Sequence, residues 1–184
     1  MNTKTKPHLA TACAFAALVL LSFAGPANAQ SFADAFGGFR QQENAPISID
    51  ANSLDILSEA GKATFEGGVR VVQGPTVLTA GKLVVDYSGA SVTEPSAIRK
   101  LTATGGLNVK TGGRSAKASQ GTFNLASNSV VLSGNVEVRE GSNVAKGCRL
   151  VVDLNSGNAN LESRNCGGAS GGGRVQLRIT PQSQ

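Results

Sequence analysis

From Ile47 onward the chain alternates apolar and polar residues with a period of two, in short runs separated by glycine. Ile47-Ser-Ile49-Asp50 and Leu54-Asp-Ile56 open the series. Val69-Arg-Val71, Leu83-Val-Val85-Asp86, Leu101-Thr-Ala-Thr104, Leu107-Asn-Val109-Lys110 and Phe123-Asn-Leu125 continue it. Val136-Glu-Val138-Arg139 and Leu150-Val-Val152-Asp153 complete the main body. Alternation of this kind gives a strand one dry face and one wet face. The runs recur every ~8–12 residues, the spacing of an antiparallel sandwich or roll and not of βαβ units. Gly67-Gly68, Gly105-Gly106, Gly112-Gly113, Gly134-Asn135 and Asn155-Ser-Gly157-Asn158 are the predicted breaks between strands.

The pattern is also written twice. Glu66 to Tyr87 and Ser133 to Leu154 align without a gap. They share Gly67/Gly134, Val69/Val136, Val71/Val138, Gly74/Gly141, Val77/Val144 and the blocks Leu83–Asp86 and Leu150–Asp153. Self-similarity at a fixed period marks units that bury their apolar face against a neighbour. Residues 88–97, with Pro95, form the predicted loop after the first copy.

The ends read differently. Lys4 and Lys6, the apolar run Ala10–Phe23 and the small-x-small site Ala27-Asn28-Ala29 make residues 1–29 a secretory signal peptide, cut after Ala29. The expected product has 155 residues, a normal length for one domain. Its net charge falls from +5 to +3, and it loses the only histidine, His8. Residues 30–45, carrying Phe32, Phe36 and Phe39, are expected to be a flexible, loosely docked leader. The β-domain is expected to span residues 46–166. Residues 167–173 form a glycine-rich linker, and residues 174–184 a strand or tail in which Val175, Leu177 and Ile179 share a face.

Chemistry is sparse. Without histidine, the exported chain has no Ser-His-Asp or Cys-His system, and no phosphate loop is spelled. A mildly basic chain with one Tyr, no Trp and no basic run is not a nucleic-acid binder. Asp86 and Asp153, equivalent in the two copies, are the sole candidates for a carbohydrate-active pair; the simpler reading makes each a wet residue or a turn cap. No metal site or cofactor is expected, since two thiols alone cannot fill a zinc shell. Cys148 and Cys166 are expected to pair as a disulfide, near-opposite across a hairpin in an oxidising compartment. What remains is an exported β-domain whose Val, Leu and Ile interior suits aliphatic chains and whose edges can pair with other sheets.

The ordered series Ile47–Ala51, Ala63–Gly74, Ala80–Asp86, Ala118-Ser, Phe123, Val130–Val136 and Asn143–Leu150 resembles the LptA/OstA-like domain over about residues 46–164. The resemblance implies an open, twisted antiparallel β-roll, β-jellyroll-like, and a non-enzymatic periplasmic role. Such domains bind the lipid A acyl chains of lipopolysaccharide and join end to end with themselves. They also join LptC-like inner-membrane and LptD-like outer-membrane proteins, forming a bridge. It further implies an acyl-chain groove that includes Ile47, Ile49, Val69, Val71, Leu107, Phe123, Leu125, Val136 and Val138. A structural or adhesive β-repeat protein with a purely packed core is the alternative.

Overall fold

The computed structural model describes residue 36 and residues 45–89, 97–164 and 173–181. They form twelve antiparallel strands: β1 (Ile47–Asp50), β2 (Ser53–Leu57), β3 (Lys62–Gln73), β4 (Thr76–Tyr87), β5 (Ile98–Thr104) and β6 (Leu107–Thr111), then β7 (Arg114–Ala118), β8 (Gln120–Asn124), β9 (Ser129–Glu140), β10 (Asn143–Asp153), β11 (Ala159–Glu162) and β12 (Gln176–Arg178). A short 3₁₀ turn, Ser58–Ala60, links β2 to β3. The two copies of the repeat are the long hairpins β3–β4 and β9–β10.

Each long strand serves two half-sheets. One half of β3 pairs with β2 and the other with β1. Likewise β4 is shared by β5 and β6, β9 by β8 and β7, and β10 by β11 and β12. One half-sheet therefore runs β2-β3-β4-β5-β8-β9-β10-β11, the other β1-β3-β4-β6-β7-β9-β10-β12. Among the described residues the sheet is not closed: the order begins at β1 and β2 and ends at β11 and β12. The expected all-β open roll is the fold found.

Two of the predicted strand breaks are bends inside strands. Gly67-Gly68 lies within β3, where the pairing slips between Glu66 and Val69. Gly134-Asn135 is its counterpart within β9. The ladder crosses the bend because the extra residue is absorbed as a bulge, which turns the strand without ending it. Glycine is required at Gly67 twice over. Its φ is 82°, and an added Cβ would stand 2.7 Å from the Asn52 Cβ. Asn52 in turn donates its N–H to the Glu66 and Gly67 carbonyls, each at 3.0 Å. In the facing strand, an added Cβ on Gly81 would lie 3.2 Å from the Gly105 Cα, so the two backbones meet with no side chain between them.

One core unites both halves, with Val69, Leu78, Val85, Leu107, Val130 and Val136 all nearly fully buried in it. Phe36, within the stretch expected to be a flexible, loosely docked leader, has its side chain wholly buried in this core. A bulky apolar ring gains more from that interior than from water. β7 has no counterpart in the alternating pattern, since Arg114-Ser-Ala-Lys-Ala118 carries no large apolar residue.

Replacing Gly67 by Ala should destabilise the domain by about 1–3 kcal/mol, from the left-handed backbone and the clash with Asn52 combined. Gly113→Ala, where an added Cβ meets nothing within 4 Å, should change stability little. Urea unfolding of both variants checks the contrast.

Candidate functional site

The inward face of the sheet is the candidate site. Residues directly opposite each other in an antiparallel pair share a face. The register therefore traces apolar rows across the whole sheet. In one half-sheet a row runs Leu54, Phe65, Leu83, Ala103, Gly121, Leu132, Leu150, Leu161. Beside it runs Ile56, Ala63, Val85, Leu101, Phe123, Val130, Val152, Ala159. In the other half-sheet the row is Ile49, Val71, Leu78, Val109, Ala116, Val138, Ala145, Leu177. Each crosses eight strands without a polar residue.

The rows end in the open. Leu54 and Ile56 on β2 are each 48 % exposed, and Leu177 on β12 is 63 % exposed. Their mid-sheet neighbours are almost entirely buried. Among the described residues the apolar interior thus runs from one end of the sheet to the other and surfaces at both.

All nine expected groove residues belong to this interior. Val69, Val71, Leu107, Phe123, Val136 and Val138 are core members, while Ile47, Ile49 and Leu125 are partly buried and packed against it. The expectation omitted the inward residues of β4 and β10, such as Leu78, Leu83 and Val152, although their alternation marks them equally well. It also missed Phe36, whose ring centre lies 6.3 Å from that of Phe123 at a tilt of 56°. No periodicity could signal that contact, because Phe36 belongs to no strand.

One end of the interior is polar. Beyond the Ile49–Leu177 row lie buried Gln73 and Thr76, the latter donating to the Thr111 hydroxyl at 3.1 Å. The Arg114 guanidinium donates to Glu140 at 2.7 Å nearby, across the β7–β9 pair. The outer face is charged. Glu137 takes hydrogen bonds from Arg139 and Lys146, which hold its carboxyl below the ordinary range. These two cations, with Val144, Gln176, Leu177 and Arg178, line a cleft of about 430 Å³ at the β9–β10–β12 corner.

The two aspartates are both in structural use. Asp153 accepts from the N–H groups of Ser156 and Asn155 and so caps the β10–β11 turn, which holds its pKa low. Asp86 sits between Lys100 at 2.9 Å and Lys62 at 3.5 Å. Partial burial raises the Asp86 pKa, but the hydrogen bonds and charges of the two lysines outweigh it, leaving the net value low. Cys148 is disulfide-bonded and stands at the bend of β10, in the place that Gly81 holds in β4. Cys166 lies outside the described residues. The β10–β11 hairpin on which the expected pairing rested is formed, with Arg149 opposite Glu162.

Residues 48–158 match the family model of the LptA/(LptD N-terminal domain) lipopolysaccharide transport proteins. The chain belongs to this family. An uncharacterised protein of Rhizobium meliloti (strain 1021) is 36% identical over 181 residues, covering 96% of this chain and 94% of its own length. A second relative, from the 5′ region of an rpoN-linked probable transport protein of Rhizobium etli, is 44% identical over 57 residues, 31% of this chain and 82% of that protein. Among solved structures, LptH of Pseudomonas aeruginosa superposes with a TM-score of 0.62 at 21% identity, over 74% of this chain and 96% of that one. LptH is described as the LptA-homologous periplasmic component of the lipopolysaccharide transport device. The likeness is one of fold, and the LptA-like roll is common to both. Family and fold are those of a transport protein.

Asp86 offers a check on its structural role. Because its pKa is lowered by folding, its contribution is present above the ordinary aspartate value and lost as pH falls through the lower folded value. Asp86→Asn should cost about 1 kcal/mol or less at pH 7, since the pairs are partly solvated, and less at about pH 3. Urea titrations at the two pH values read the difference.

Proposed function

We propose that the chain is an exported periplasmic protein, cut after Ala29, that binds the lipid A acyl chains of lipopolysaccharide inside the roll. It passes them along as part of a bridge between the two membranes. The observation that carries this reading is the set of apolar rows that cross eight strands and surface at both open edges. A domain meant only to fold has no need to bring its core out at both ends. Burial of each methylene contributes about 0.8 kcal/mol, so an acyl chain with about ten buried methylenes gains roughly 8 kcal/mol without any covalent step. Asp86 and Asp153, engaged by lysines and by a turn, support binding and not catalysis.

The open edges support assembly. β1 and β2 present Asp50, Asp55 and the exposed Leu54 and Ile56, with Glu59 just after. The far edge presents Arg174, Arg178 and the exposed Val175, Leu177 and Ile179. The β2 edge carries acidic residues and β12 basic ones, with Glu162 on β11 beside them, and each edge has an apolar face. This suits end-to-end strand pairing with a second copy and with LptC-like and LptD-like domains. A structural β-repeat reading is favoured by one observation: Val69, Leu107 and Phe123 are almost wholly buried in the chain alone. Lipid entry therefore requires side chains of this interior to give way.

Two experiments test the proposal. A photo-crosslinking residue at Ile49 or Leu125 should capture lipopolysaccharide in cells, and one at outward-facing Thr64 or Thr122 should not. Equal yields from both faces would sink the lipid reading. Separately, Ile56→Lys and Leu177→Lys should each weaken self-association by about tenfold in sedimentation, consistent with about 1.4 kcal/mol per edge, while leaving thermal stability unchanged. Unaltered assembly would refute the edge pairing.

A further inference from the structure

Phe36 is a body inside the roll that the sheet does not need. The row through Phe123 is complete from Ile56 on β2 to Ala159 on β11 without it. Phe36 lies in no strand, so no ladder hydrogen bond depends on where its side chain rests. Yet Phe36 and Phe123 are the two largest fully buried side chains among the described residues, packed ring against ring. The ring therefore fills interior volume that the strands leave over, and it fills it with a group as apolar as an acyl chain.

We propose that Phe36 is a resident plug of the acyl site: it occupies the place beside Phe123 in the empty protein and is expelled when a lipid acyl chain enters. This inference rests on the interior being an acyl site. The chemistry favours exchange, because an acyl chain offers several times the apolar surface of one phenyl ring and takes over the same contacts. The plug also accounts for a closed interior in a protein whose rows surface at both edges, since a bare trough would expose apolar surface to water and to other chains.

The test uses the full mature chain carrying 4-fluorophenylalanine at position 36 alone, followed by fluorine NMR. Hexa-acylated lipid A in detergent micelles is the probe, and the same micelles without lipid A serve as control. As lipid A binds, the resonance should move from its buried position to a solvent-like one, and the empty micelles should leave it in place. Phe36→Ala should bind lipid A about tenfold more tightly than the parent chain, with Phe36→Leu between them. The leucine variant and the fluorine signal keep the test decisive if Phe36→Ala does not fold. Lipid A binding with an unmoved Phe36 resonance, or with no gain in the leucine variant, would overturn the plug and leave the lipid-binding function standing. Failure of the parent chain and both variants to bind lipid A would overturn that function, and the plug with it.

Discussion

Everything in this molecule follows from the need to keep backbone hydrogen bonds unbroken while a strand turns a corner. A strand that ended at each corner would leave unpaired N–H and C=O groups at the centre of the fold, at a cost of about 1–3 kcal/mol for each one buried. β3 instead passes through Gly67-Gly68, and β9 through Gly134-Asn135, with a one-residue slip. Asn52, Gly81 and Gly105 meet the bends with small or bonded groups. Continuous strands then hold two half-sheets around one apolar interior.

The same constraint decides what the interior can be used for. A closed barrel satisfies every edge and seals its contents; this sheet stops at β1 and β2 on one side and β11 and β12 on the other. Its rows of Leu, Ile, Val and Ala reach those edges and emerge on them. Unpaired edges with apolar side chains are a hazard for a solitary protein, managed elsewhere with charge or coverage. Here Asp50 and Asp55 lie at one end and Arg174 and Arg178 at the other. Charge placed this way blunts an exposed edge against indiscriminate pairing.

The chemistry of the interior is uniform, and specificity has to come from shape. No aligned polar group crosses the rows, and the first polar residues inward are Gln73, Thr76 and the Arg114–Glu140 pair at one margin. A surface of this kind grips any long aliphatic group and holds none in a fixed place.

Much of this was legible in the chain itself. Period-two alternation determined which side chains of β3, β4, β9 and β10 face inward, since a strand's geometry leaves a residue only two sides to choose from. The repeated Leu-Val-Val-Asp blocks marked two equivalent units, which the fold builds as the long hairpins β3–β4 and β9–β10. The resemblance to the LptA/OstA-like series pointed to nine inward residues, and each lies in or against the core. Local pattern could not say that Gly67-Gly68 bends a strand where Gly112-Gly113 ends one, because both need a glycine and only the partner across the ladder distinguishes them. Nor could it find β7, whose Ala116 and Ala118 are buried by neighbours and not by their own apolar bulk. Phe36 lay furthest from reach. Residues 30–45 carry no strand signal, and a ring finds its place beside Phe123 only once eight strands have folded round to make one. Sequence alone therefore determined which residues are dry; the tertiary structure decided what each of them is dry against, because facing is local and contact is not.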